Sequence, residues 1–204
     1  MYFNNSYIVI DNFLDVNIID ELNNTIIKQE PDSRFVKVND IKPNSSIYDK
    51  ALHEIWKNKL SFFCEGIKGF EFWTNVIGED DQLKLHVDCD EHSLDKENIL
   101  YCPVFTSVLY LGPKNSIDGG ELAINLRDNI RSFDDVVRMS NNIDEEYIRC
   151  DDINWLKIES KYNRLVIFQG NRPHLVLDVN GGVSKETPRC AISMAAWDKE
   201  ITIN

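Results

Sequence analysis

The sequence predicts a mostly β chain: a double-stranded β-helix, the two-sheet jelly roll of cupin-like proteins, backed by N-terminal helices. Three observations lead there. Residues 1–69 carry two stretches whose apolar positions recur at helical spacing. From Phe70 onward the text changes to short runs rich in β-branched and aromatic residues, separated by turn signals. Eight such runs can be marked, at 70–76, 83–88, 106–111, 121–126, 155–158, 165–168, 174–179 and 189–197. Eight short strands after helices are the pattern of two packed antiparallel sheets.

In order, residues 7–10 read as a short strand and residues 15–28 as a helix. Ile18, Ile19, Leu22 and Ile26 form the apolar stripe of that helix, and Pro31 forbids a longer one. Residues 31–44 read as polar loop or irregular strand. Ser46 opens a second helix with Asp49 three residues on, in capping-box position. Tyr48, Leu52, Ile55, Trp56, Leu60 and Phe63 make its stripe, and Gly66 is its stop. Gly119-Gly120 marks a tight turn or a close backbone approach. Residues 127–154 stand apart. They hold Asp128, Asp134, Asp135, Asp144, Glu145, Glu146, Asp151 and Asp152, with Val136, Val137 and Ile143 between them and no clear periodicity. A long loop inside a compact domain is usually functional or disordered, and this one reads as a lid or substrate-contacting insertion. The expectation is one domain over 1–204: 1–69 as helical support, 70–204 as the jelly-roll core.

The formal net charge is −12, from 34 acidic and 22 basic residues. With no basic run, neither nucleic acid nor an anionic membrane is expected as main partner. The acidity reads first as solubility and second as attraction for a basic peptide. Cys64, Cys89, Cys102, Cys150 and Cys190 are scattered, odd in number and without C-x-x-C spacing. Free thiols fit a reducing cytoplasm. Residues 1–5 lack the basic and apolar regions of a signal peptide. No stretch approaches 18 apolar residues, so no membrane span is expected. Nothing here assigns an oligomeric state.

The chemistry centres on His86 and Asp88, two residues apart and therefore on one face of a strand. His174 supplies a second imidazole if its strand lies alongside. Two histidines and a carboxylate on one face of a metal, with other positions open, form the facial triad of non-haem Fe(II) oxygenases. His92 is the competing ligand on the loop beyond Asp88, and His53 lies off the helical stripe and reads as surface. In the last strand, Arg189, Ala191, Ser193, Ala195 and Trp197 share a face. An arginine at the mouth of a strand lined by small residues suits a buried carboxylate, which it can grip with two parallel hydrogen bonds.

These segments together resemble the 2-oxoglutarate and Fe(II)-dependent oxygenases of the prolyl 4-hydroxylase-like branch. They are most similar to the hydroxylases of the hypoxia-inducible transcription factor and their bacterial and viral relatives. The matching pieces come in the family's order: His86-Val87-Asp88, residues 106–111, Gly119-Gly120-Glu121-Leu122, residues 161–168, Pro173-His174, and Arg189 through Trp197. The resemblance implies that His86, Asp88 and His174 bind iron. It implies that Arg189 pairs with the distal carboxylate of 2-oxoglutarate and that the Tyr110 hydroxyl bonds the same carboxylate. Ser193 joins them in lining the cosubstrate's seat. Arg189 lies 15 residues after His174, more than is usual in the family, whereas Lys185 lies nearer the usual spacing. Arg189 is the expected anchor because it opens a strand, while Lys185 falls between Gly182 and Pro188. The family's tyrosine shortly before H-x-D is replaced by Trp73, Thr74 and Asn75.

The implied activity is O2-dependent hydroxylation of an unactivated C–H bond, with ascorbate as an optional reductant. The implied substrate is a prolyl or other side chain in a peptide, or a free amino acid. Asp88 favours hydroxylation over halogenation, because related halogenases have a small residue there. Ala195, six residues after Arg189, counts against the nucleic-acid demethylases, which have a second arginine. A cupin-like binding module without turnover is the rival of another class. A zinc hydrolase finds no H-E-x-x-H.

Overall fold

The computed structural model describes residues 7–28, 33–43, 45–79, 81–127, 130, 132–142, 145–150 and 153–202. In chain order come β1 (Tyr7–Asp11), α1 (Val16–Ile26), β2 (Ser33–Lys37), α2 (Ile47–His53), β3 (Gly69–Ile77) and β4 (Leu83–His86). Then follow α3 (Glu91–Glu97), β5 (Phe105–Gly112), β6 (Asp118–Gly119), β7 (Leu122–Asn125), α4 (Phe133–Asn142) and α5 (Glu145–Cys150). The chain closes with β8 (Trp155–Ile158), β9 (Arg164–Gln169), β10 (His174–Val176), β11 (Val179–Gly181) and β12 (Arg189–Trp197). The strands form a six-stranded sheet, β1-β9-β5-β12-β3-β2, a four-stranded sheet, β4-β10-β7-β8, and a small β11-β6 pair.

Period-two alternation in the large sheet separates two cores. Leu109, Leu111, Leu165, Ile167, Ile192 and Met194 pack toward α1 and α2. Their sequence neighbours Val108, Tyr110, Val166, Phe168 and Ala191 turn the other way and meet Leu122, Ile124 and Ile158 of the small sheet. Central strands buried on both faces lose the polar half of the alternation, which is why β5 and β12 read as nearly continuous apolar runs. The functional side chains lie in the space between the sheets.

Four expectations need correction. The second helix starts as expected, with Ser46 Oγ accepting the Asp49 N–H at 3.0 Å. Its α form ends at His53, however. Glu54–Lys59 is a π turn and Ser61–Cys64 a 3₁₀ turn. The wider turn closes with Leu60 N–H donating to Ile55 O at 2.8 Å and leaves the Trp56 indole stacked on Phe70 at 4.6 Å. Second, residues 127–154 are not a structureless loop. They contain α4 and α5, although Asp128, Ile143, Asp144, Asp151 and Asp152 lie outside the described residues. The missed signal was Ser132-x-x-Asp135. The Ser132 N–H donates to Asp135 Oδ2 at 3.2 Å, and the Asp135 N–H donates to Ser132 Oγ at 3.3 Å. Val136 is then buried against Val87 and Ile130, and Ile148 against Trp155, Leu175 and Leu177.

Third, the run at 83–88 stops as a strand at His86, so Asp88 lies past the strand end. Fourth, the run at 174–179 is two strands with a break at Leu177 and Asp178. There the Leu177 N–H donates to Glu121 O and the Gly120 N–H to Asp178 O. Gly119, at φ +77°, is pressed so close that a Cβ would fall 2.1 Å from Asp178 O. This is the close approach that the Gly-Gly pair foretold.

Candidate functional site

β4 pairs with β10 so that His86 faces His174 directly, and the two ring centroids are 4.3 Å apart. Asp88 Oδ1 lies 3.7 Å from His86 Nε2 and 3.8 Å from His174 Nε2. Possible ligand atoms of the three residues all fall within 4.8 Å of one another. Nδ1 of His86 is 2.7 Å from the Lys84 carbonyl, and Nδ1 of His174 is 2.9 Å from the Arg172 carbonyl. A carbonyl can only accept, so each Nδ1 carries the proton and each Nε2 lone pair turns toward Asp88. Thr106 on β5 donates its hydroxyl to Asp88 Oδ2 at 2.5 Å, leaving Oδ1 for the centre of the group. Thr106 was not recognised as functional from sequence. Its signal was a hydroxyl on the strand face that Val108 and Tyr110 continue.

Burial, and then the neighbouring His86, push the His174 imidazole down to about 4, so it is neutral near pH 7 and able to ligate. The donor set of two imidazoles and a carboxylate fits a divalent first-row metal with open positions. His92 is exposed on α3 and His53 sits on α2, and neither joins the group. Burial pushes the Cys89 thiol up to about 11 and the Cys102 thiol up to about 12. Neither is a thiolate nucleophile at neutral pH.

Behind the triad lies a narrow, buried end of the inter-sheet space, bordered by His174, Asn75, Ala191, Ser193 and Arg189. Arg189 is 1% exposed. Its Nε donates to the Gly120 carbonyl at 3.1 Å, and its Cζ lies 5.1 Å from the Tyr110 ring centroid. Its Nη2 and the Tyr110 hydroxyl are both buried without a hydrogen-bond partner. Burial opposes the charge on this guanidinium, and the Tyr110 hydroxyl beside it favours the charge. Two orphan donors at one dry spot are costly unless an acceptor reaches them, and a carboxylate is the acceptor that satisfies a guanidinium and a phenol together. Asn75 donates to Ser193 Oγ at 2.9 Å across the same space. The open volume here is only about 20 Å³, so a five-carbon diacid must shift side chains to settle. Lys185 is exposed on the turn that Ser184 and Thr187 close.

On the other side of the triad a larger cavity of about 370 Å³ opens, bordered by His86, Asp88, Trp73, Glu71, Asp90 and Glu91. Trp73 and His86 border both spaces. Burial, and next the charge of Asp88, raise the Glu71 carboxyl to about 7. Glu71 also escaped the sequence reading, although an acid alternating with Trp73 and Asn75 on the inward face of a strand is visible there.

Residues 72–197 match the family model of the 2OG-Fe(II) oxygenase superfamily, and the chain belongs to that superfamily of oxygenases. No curated protein sequence matches the chain. Among solved structures it is similar to a Pseudomonas putida prolyl-4-hydroxylase, with TM-score 0.60 and 15% identity over 98% of this chain and 88% of that one. It is also similar to a Trichoplax adhaerens prolyl hydroxylase in complex with a hypoxia inducible factor peptide fragment, with TM-score 0.55 and 14% identity over 96% and 84%. A third is HygX from Streptomyces hygroscopicus with nickel and 2-oxoglutarate bound, with TM-score 0.58 and 11% identity over 94% and 83%. At such identities the likeness establishes the mostly antiparallel jelly-roll fold. Among the described residues, no helix is long and apolar enough to cross a membrane.

Proposed function

We propose that this oxygenase hydroxylates an unactivated C–H bond of a prolyl or other amino-acid side chain, in a peptide or as a free amino acid. In this reading His86, Asp88 and His174 hold Fe(II), and 2-oxoglutarate is the cosubstrate. Bound Fe(II) supplies the redox chemistry that activates O2 while 2-oxoglutarate is oxidised to succinate and CO2. The chain's own part is ligation, orientation and exclusion of water. The carbonyls of Lys84 and Arg172 fix the two imidazoles, and Thr106 fixes the carboxylate. Arg189 and Tyr110 receive the distal carboxylate of the cosubstrate, and Ser193 borders its chain. The observation that carries the reading is the orphan pair: Arg189 Nη2, on a residue bordering a narrow space that also touches His86 and His174, and the Tyr110 hydroxyl of the ring beside it. Asp88 fills the position that would otherwise be open to a halide.

The peptide preference draws on the Trichoplax hydroxylase and its peptide complex. Five free cysteines favour a reducing cytoplasm. Residues 127–154 are read as a lid or substrate-contacting insertion on one domain, with α4 resting on Val87 between two of the ligands. The deciding experiment is anaerobic titration of the Fe(II)-loaded protein with 2-oxoglutarate. A metal-to-ligand charge-transfer band is expected. Its absence while Fe(II) remains bound would favour a metal-binding module without turnover.

A further inference from the structure

We infer that the cavity beside His86 and Asp88 selects a substrate bearing a primary ammonium group, and that Glu71 is its specificity-determining residue. The inference rests on the oxygenase reading for one point: the substrate occupies the side of the triad opposite the Arg189 end.

The cavity shares His86 and Asp88 with the triad, so a molecule seated in it lies against the reacting centre. At about 370 Å³ it has the size of a small-molecule site. Its charge does not balance. Asp90 is accounted for: it caps α3 through the Ser93 N–H at 3.2 Å and pairs with Lys199 at 2.9 Å. Fe(II), Asp88, dianionic 2-oxoglutarate and Arg189 would cancel among themselves. Glu71 and Glu91 are left over. Among the described residues no lysine or arginine pairs with either one.

Glu91 is exposed at the start of α3, where water and the helix terminus accommodate it. Glu71 is different. It is half-buried in mid-strand, opposite Ala195 in the register. A desolvated carboxylate without a partner is costly. The fully buried Trp197 turns its indole toward Glu71 but completes no hydrogen bond. The indole thus favours the carboxylate without closing on it, and a cation in the cavity would supply the partner that Glu71 lacks. Trp73, two residues along the same strand face, adds an aromatic wall of the kind that attracts ammonium and guanidinium groups. A neutral or acidic substrate would leave Glu71 uncompensated beside Asp88.

The test is calorimetric titration of the anaerobic protein loaded with Fe(II) and 2-oxoglutarate. The probes are acetyl-lysine amide, its uncharged counterpart acetyl-norleucine amide, acetyl-glutamate amide, and free lysine. The lysine probes are expected to bind at least about 10-fold more tightly than norleucine, and Glu71→Gln to remove most of that ratio. Glu71→Lys should turn the preference toward the glutamate probe, a gain that misfolding cannot produce. Binding of either lysine form supports the inference, and their ratio separates a free amino acid from a peptide residue. No measurable binding of either lysine form, norleucine bound as well as lysine, or a ratio unmoved by Glu71→Gln, overturns it. Loss of the charge-transfer band in the unmodified protein would sink the oxygenase reading alone, because the calorimetric preference is read independently of turnover.

Discussion

The two spaces that meet at the triad are built on opposite plans. The Arg189 end is closed, dry and cationic, with two buried donors lacking acceptors. The Glu71 end is open and anionic, with Glu71 and Glu91 lacking cations among the described residues. One end thus offers buried donors to a single small dianion once side chains shift to admit it, and the other offers charge to a larger and more variable guest. A cosubstrate common to many reactions and a substrate particular to one would make these opposite demands of a protein. His86, bordering both spaces, is where the two guests would come into register.

Several measurements would break or sharpen this contrast. The largest effect is expected at the shared boundary. Asp88→Ala should weaken Fe(II) binding by about 1000-fold, more than the 10–100-fold typical of losing a ligand's hydrogen-bond partner, while His53→Ala leaves it unchanged. Metal-binding calorimetry reads both, and equal losses would indicate a folding defect.

Next comes the pH response of the closed end. His174 takes up a proton near 6.5 when unfolded but only near 4 when folded. The unfolded state thus binds more protons between these values. Metal-free protein should hold its full stability above pH 6.5 and lose on the order of 3 kcal/mol as pH falls to 4. Denaturant titrations should show the slope, and His174→Gln should flatten it.

Arg189→Met should raise the 2-oxoglutarate KM in uncoupled turnover by about 30-fold or more, as removing one partner of a buried charge pair does. Lys185→Met, on its exposed turn, should change it less than about 2-fold. The reverse ranking would mean that the anchor is misassigned. Thr106→Val should weaken Fe(II) binding by about 10-fold through Asp88 alone, with the 2-oxoglutarate KM little changed. The smallest effect concerns the segment that rests on Val87: light proteolysis without substrate should cut within 127–154 before any barrel strand. First cuts elsewhere would count against a lid.

What was legible in the sequence follows from what each signal depends on. β12 was readable to the residue, because its apolar and small side chains alternate over nine positions and both faces are buried. The convergence of His86 with His174 needed a non-local pairing that no local pattern contains, and it was reached through resemblance rather than periodicity. The same-face argument for Asp88 does not describe the chain there, since the strand ends at His86 and residues 87–90 are irregular, although the carboxylate still lies 3.7 Å from His86 Nε2. The helix after Ser46 kept its stripe but not its winding, because seating Trp56 against Phe70 and Phe105 is a tertiary demand. Thr106 and Glu71 were hidden for a related reason. A polar side chain in a core strand is uninformative until the groups that it faces are known.

The two imidazoles each hydrogen-bond through Nδ1 to a carbonyl two residues earlier in their own segment, not to another side chain. Their aim is therefore written into the backbone. Thr106 holds the carboxylate and has to stay, but neither Glu71 nor Trp73 takes part in these hydrogen bonds, so the wall that carries them is free to be recut for a new guest. A laboratory wishing to redirect this protein has a natural place to start its libraries: the inward positions of β3, with both histidine strands left alone.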